Sequence, residues 1–348
     1  VSTLIGDMFA GVPSAYSTFV GYDEVAHHSG VESEEAFDTL YKLDKQIGRL
    51  AIATGQAPRP YQLVVLSDHG QSAGATFKQR YHMTLEDLIR DLAKVHRVKG
   101  TADVHEDWQQ VNVFLTEAVQ SQSKAVSRPL GRALRRHTVD GGIALGPEGV
   151  VAEGQAEDAG NGEGDDGPSI AVLASGNLAL VYATLRDERA SLEEIEEYYP
   201  GLLEGLATHE GIGFVMVHSS EYGPVVMGAG GRAYLDDGRV EGEDPLAGFG
   251  PNAAAHLRRT DQFHDAPDIL LNSFYRLEGN EVAAFEELIG SHGGLGGYQT
   301  QPFLLFPAGW EVDESDLIGA AAVYRQCKRW LSQFADSADS ALAGAGSP

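Results

Sequence analysis

Apolar positions along the chain follow two rhythms, and the change between them outlines the expected elements. The apolar, β-branched run "SAYSTFVGY" is expected to form a buried strand. It leads into "SEEAFDTLYKLDKQIGRLAIAT", where Phe37, Leu40, Tyr41, Leu43, Ile47 and Leu50 recur near helical spacing and predict an amphipathic helix. "YQLVVLSDHG" follows, apolar almost throughout until it stops at Ser67, Asp68, His69 and Gly70. A continuous Leu/Val run suits a central strand covered on both faces, so strand, helix, strand here predicts a parallel α/β sheet. In such sheets function gathers at the carboxyl ends of strands.

Further along, "TLEDLIRDLAKV" starts like a capped helix, with Thr84 and Asp87 as a capping box. Residues 101–140 read as polar helices ending in the basic "RPLGRALRRH", which is read as a solvated helix face. Gly146 to Pro168 is rich in Gly, Glu and Asp, has almost nothing to bury, and reads as a disordered acidic linker. Beyond it come "IAVLASGNLALVYATL", a helix over "SLEEIEEYYPGLLEGLATH" capped by Ser191 and Glu194, "GIGFVMVHS" and the hairpin-like "GPVVMGAGGRAYLDDGRV". These form a compact set expected to be a small inserted α/β subdomain. The chain then returns through "APDILLNSFY" and "AAFEELIGSHGGLGGYQTQPFLLFPAGW" to a closing helix around "LIGAAAVYRQCKRWLSQF". The expected organisation is therefore a catalytic α/β domain in two parts, 1–100 and 246–348, interrupted by a helical insertion at 101–145, the linker at 146–168 and the subdomain at 169–245. No internal repeat is evident.

Composition narrows the function. The 348 residues are 43% hydrophobic, enough for a sizeable core. Lys+Arg 25 against Asp+Glu 51 leaves a formal charge of −26, which repels a phosphate backbone or an anionic membrane surface. Nucleic acid is thus not an expected partner. The single Cys327 excludes an intramolecular disulfide and a cysteine-rich zinc site, so a bound metal must use His and carboxylates. No apolar run approaches the ~18 residues needed to cross a bilayer, and no signal peptide is evident, so the chain as given is expected to be soluble. Its start at Val1 in "VSTLIGDMFAGVPSAY" reads as the middle of a longer protein.

Three fragments carry candidate chemistry: "DEVAHHSG", "LSDHGQS" and "GSHGGLGG". Asp23 and His27 are four positions apart and converge on one divalent ion if the backbone coils into a helical turn. Asp68 and His69 close an apolar run, and His292 sits among small residues that leave room for a metal. Asp/His mixtures without thiolate suit a hydrolytic zinc or manganese site with open positions for substrate. His28 points away from its neighbour and is read as a supporting or substrate-contacting group. His264 and Asp268 are read as structural. His82, His96, His105, His137, His209, His218 and His256 show no ligand spacing.

Taken together, "GYDEVAHHSG", "VVLSDHGQSAGATF" and "AAFEELIGSHGGLGG" resemble the alkaline phosphatase superfamily, within it the type I phosphodiesterase/nucleotide pyrophosphatase branch and its bacterial members. The resemblance covers roughly residues 1–100 and 246–348. It implies an alkaline phosphatase-like, mainly parallel sheet flanked by helices. It also implies two divalent metals, zinc or manganese, with Asp23, His27 and His292 on the first and Asp68 with His69 on the second. The implied activity is hydrolysis of a small phosphoester, through a covalent phospho-enzyme on a Thr or Ser. The family's nucleophile and remaining metal Asp precede the Asp-x-x-x-His motif. Here Asp7, Ser14 and Thr18 are the candidates by type, and the nucleophile is expected upstream of Val1. Membrane attachment, if any, would come through that upstream segment. One metal equivalent and little turnover are expected of the chain alone. The alternatives are a non-catalytic scaffold that keeps the fold and, through the same ligands, sulfate-ester hydrolysis, against which the absence of a Cys/Ser-x-Pro-x-Arg motif counts. Substrate identity and oligomeric state stay open.

Overall fold

The computed structural model describes residues 1–96, 98–100, 138–139, 142–143, 170–183, 188–312 and 317–344. Two compact units divide the chain, one made of Val1–Gly70 with Thr300–Pro348 and the other of Gln71–Gln299. The acidic linker at Gly146 to Pro168 lies outside the described residues, and of the helical insertion expected at 101–145 only 138–139 and 142–143 are described, as paired strands rather than helix.

The first unit begins with α1 (Ser2–Phe9), α2 (Gly21–Ser29) and α3 (Glu34–Thr54), then the short β1 (Val65–Leu66). α3 starts where Ser33 accepts a hydrogen bond from the Ala36 amide at 3.1 Å, satisfying a helix-end donor. Its burial corrects the periodic reading. Ala36, Leu50 and Ala53 are buried, whereas Phe37, Leu40 and Tyr41 are exposed. Met8 of α1 joins Leu50 and Ala53 in a small core. A second correction concerns "SAYSTFVGY": residues 14–20 are exposed and lack regular structure, and the last two begin α2. A strand needs a partner for its backbone groups, and among the described residues no strand pairs with this run.

The second unit opens with β2 (Ser72–Ala73), α4 (Phe77–Tyr81), α5 (Leu85–Ala93) and β3 (Val98–Gly100). The Thr84–Asp87 capping box is formed in both directions. A small hairpin, β4 (Thr138–Val139) with β5 (Gly142–Ile143), follows. Then come β6 (Ile170–Ser175), β7 (Leu178–Ala183), α6 (Leu192–Tyr198), α7 (Leu202–Thr208) and β8 (Ile212–Ser219). One helix was expected over α6 and α7. Pro200 disfavours helical backbone at Tyr199 and Gly201 turns left-handed at φ +85°, so the chain breaks there. β9 (Gly223–Gly228), β10 (Gly231–Tyr234), β11 (Arg239–Gly242), α8 (Ala253–Asp261) and β12 (Ile269–Ser273) complete the main layers. β13 (Tyr275–Arg276), β14 (Glu281–Val282) and β15 (Gly290–Ser291) join β2 in a small sheet ordered β13-β14-β2-β15.

The chain then returns to the first unit with β16 (Leu304–Leu305) and α9 (Ala320–Gly344). β16 pairs antiparallel with β1. The expected central strand "YQLVVLSDHG" is thus a two-residue, half-buried pairing, and the parallel arrangement read from it is not formed there.

Eight strands form the large sheet in the order β11-β10-β9-β8-β12-β7-β6-β3. The α/β class holds, with helices packed on both faces. Pairing within the sheet is antiparallel except for β3 with β6. Alternation places Val215, Val217, Ile269 and Leu271 in one core with Leu203 and Leu206 of α7, and Ile195 of α6. Phe214, Met216 and Leu270 face the opposite core with Leu257 of α8. Covering both faces explains the unbroken apolar runs "FVMV" of β8 and "ILL" of β12. β12 lies at the centre, between β7 and β8, so residues 169–245 and the segment after 246 share one sheet. No helix among the described residues is long and apolar enough to cross a membrane.

One carboxylate in the first turn of α6 makes a pH test of this unit. Glu193 accepts from Ser219 Oγ at 2.6 Å, the Ser220 amide at 3.0 Å and Ser220 Oγ at 2.9 Å. Desolvation raises its pKa, but these bonds outweigh it and bring the pKa from 4.5 to about 2. A depressed carboxylate contributes stability above its unfolded pKa and loses it as pH falls through the folded one. Urea unfolding should therefore separate wild type from Glu193→Gln at pH 5, and the gap should narrow between pH 4.5 and about 2. A gap that does not change with pH would remove Glu193 from this role.

Candidate functional site

α2 carries the first pair. Asp23 and Glu24 lie in its first turn, where their charge complements the helix dipole, and His27 and His28 lie in its last. Gly30 ends the helix at φ +96°, and its amide bonds the Ala26 carbonyl. The one-turn spacing puts Asp23 Oδ2 3.5 Å from His27 Nε2. His27 is only 3% exposed and Asp23 20%. His28 points to solvent. Tyr22, next to Asp23, donates from its hydroxyl to the Val31 carbonyl at 2.9 Å. Burial first, then the Glu32 and Asp23 carboxylates, hold its phenol above the ordinary range.

The second pair follows β1. Asp68 Oδ1 accepts from the His69 amide at 3.2 Å and lies 3.6 Å from His69 Nε2. His69 Nδ1 is 3.0 Å from the Gly70 carbonyl oxygen, which can only accept, so the neutral ring carries its proton on Nδ1 and its lone pair on Nε2. Asp68 is 72% exposed, His69 29%.

Donor chemistry at both pairs fits a divalent cation. With metal–ligand bonds of about 2.0–2.2 Å at tetrahedral angles, two ligand atoms stand roughly 3.3–3.6 Å apart. The separations of 3.5 and 3.6 Å match that edge.

His292 belongs to the second unit and directly follows β15, which pairs with β2. After it the chain turns through Gly293, Gly296 and Gly297, all at positive φ. The turn between β6 and β7 packs on this loop: a Cβ on Gly176 would lie 1.9 Å from the His292 carbonyl oxygen. The Gly176 amide donates to buried Glu286, and its carbonyl accepts from the Phe285 amide at 2.7 Å. Asn177 and Asn272 also reach the loop, and neither was singled out in the sequence. The available signal was polar: an Asn closing the apolar strand "ILLNS" and another in the turn "SGNL".

Residues 15–159 match the family model of type I phosphodiesterase / nucleotide pyrophosphatase. This is the branch of the alkaline phosphatase superfamily that the three motifs resemble. No curated protein and no solved structure matched the chain. Within the phosphodiesterase-like segment lie Asp23, His27, Asp68 and His69; His292 lies outside it.

Asp268 and His264, both read as structural, differ in their placement. Asp268 is buried and accepts from the Ala183 and Ala190 amides, each at 2.6 Å. His264 is on the surface, 2.7 Å from Asp265. His209 stacks on Phe77 and meets Tyr81 edge to face, and burial holds its ring below the usual pKa. His105 and His137 lie outside the described residues.

Proposed function

We propose that this protein is a metal-dependent phosphoester hydrolase of the phosphodiesterase/nucleotide pyrophosphatase type, acting on a small phosphoester. The reading is carried by one coincidence: the matched segment contains two Asp–His pairs whose donor atoms have ligand spacing. Asp23 and His27, with His292, are proposed as ligands of one divalent cation, and Asp68 and His69 as ligands of a second, zinc or manganese in each case. Bound cations would supply Lewis-acid polarisation of a phosphoryl oxygen. The chain's own part is to hold those ligands in place. Burial of His27 fixes its ring on the Asp23 side of α2, and the Gly70 carbonyl orients the ring of His69. No residue is assigned as the nucleophile.

Hydrolysis of bis(p-nitrophenyl) phosphate and of a dinucleotide polyphosphate, with zinc or manganese supplied, tests the reading. The little turnover expected of the chain alone should depend on metal, stop with chelator, and disappear in His69→Ala. Tightly bound metal with no turnover on any phosphoester would favour a scaffold role instead.

A further inference from the structure

We infer that Asn177 and Asn272 are positioning residues, holding the backbone of the loop after His292 and through it the imidazole. This rests on the proposal that His292 is a metal ligand. Both side chains are fully buried. Asn272 Oδ1 accepts from the Leu295 amide at 2.6 Å, while its Nδ2 donates to the Leu295 carbonyl at 3.1 Å and the Ser273 carbonyl at 2.9 Å. Asn177 Oδ1 accepts from the Gly294 amide at 3.0 Å, and its Nδ2 donates to the Leu295 carbonyl at 3.4 Å. Backbone amides only donate and carbonyls only accept, so the orientation of each side-chain amide is set by its partners. The two residues are also tied to each other, since the Ser273 amide donates to the Asn177 carbonyl at 2.9 Å.

Burying an amide costs free energy unless every polar atom is met, and an aliphatic residue would serve a strand core better. What the amides supply is a clamp on "GGLGG", a run whose glycines have little conformational preference of their own. The Gly294 backbone sits close enough that a Cβ there would lie 2.5 Å from Asn272 Oδ1 and 2.6 Å from Asn177 Oδ1. Sheet strand, amide, loop backbone and His292 form one connected chain of contacts. Groups that orient a metal ligand commonly matter 10–100-fold for metal affinity.

Cobalt(II) titration of the full chain, followed by visible absorption and carried out well below each variant's melting temperature, tests the inference. Asn272→Ala and Asn177→Ala should each weaken cobalt binding by about tenfold or more and alter the ligand-field bands. Ile195→Ala, a cavity variant in the core on the face of the sheet away from Leu295, should melt earlier yet bind as wild type does. Adding Asn272→Ala to His292→Ala should weaken binding no further, because the clamp acts through the ring. Wild-type affinity and bands in both Asn variants, or full additivity with His292→Ala, would overturn the inference while leaving the metal site intact. If Asn272→Ala fails to fold, Asn177→Ala decides. No cobalt binding by wild type, or undiminished binding by His292→Ala, would instead sink the ligand assignment and the inference with it.

Discussion

Replacing His27 by alanine is expected to lower zinc or manganese affinity by more than about a hundredfold, beyond the 10–100-fold typical of groups that only orient a ligand. His27 is buried on the inner side of α2 with Nε2 3.5 Å from Asp23 Oδ2. Alanine removes one donor of the proposed set, and a divalent ion held by fewer protein ligands is bound more weakly in water. The sharpest readout is linkage. A metal that binds only the folded chain raises its stability by about 2.7 kcal/mol when present at a hundred times its Kd. Wild type should therefore show a metal-induced rise in melting temperature that His27→Ala lacks, while His28→Ala, exposed on the same turn, should keep it. Equal rises in wild type and His27→Ala would show that α2 does not hold the metal.

The largest expected effect on folding comes from a single added carbon. Gly176→Ala places a Cβ 1.9 Å from the His292 carbonyl oxygen, a separation that backbone must yield to, on a residue at φ +57°. Left-handed backbone costs an L-residue about 1–2 kcal/mol, and forced displacement in a packed region typically adds 1–3. Roughly 2–5 kcal/mol is expected in total. Gly201→Ala is the internal comparison, since it has φ +85° with nothing within 4 Å of the added carbon, and should lose only about 1 kcal/mol. Denaturant midpoints at constant slope give both numbers. Equal losses would mean that the β6–β7 turn gives way without resistance, and the account of a tightly seated His292 loop would fall.

Legibility along this chain follows the range of the interactions involved. Capping boxes at Thr84–Asp87 and Ser191–Glu194 span three residues, so side chain and backbone meet whatever the rest of the molecule does. The Asp23–His27 pair is of the same kind, because one helical turn suffices to bring the donors together. The apolar run "YQLVVLSDHG" announced a central strand covered on both faces, but only Val65 and Leu66 pair, and both are half-buried. The step from there to parallel pairing did not hold. Coverage depends on burial alone, whereas direction depends on connections, and the short turns between β6 and β7 and between β8 and β9 require antiparallel partners.

What the sequence by itself determined is therefore local: the capped helix starts at Thr84 and Ser191, and the donor pair on α2. Periodicity placed α3 but not its inward side, since Ala36 and Ala53 are buried while Phe37 and Tyr41 face water, a choice made by what packs against the helix. Only the tertiary structure decided the strand order, with β12 arriving between β7 and β8, and only it brought Asn177 against Gly294, 117 residues further along the chain. A hydrogen bond across that separation leaves no periodic trace, because its energy is realised only after the sheet has set both partners in place.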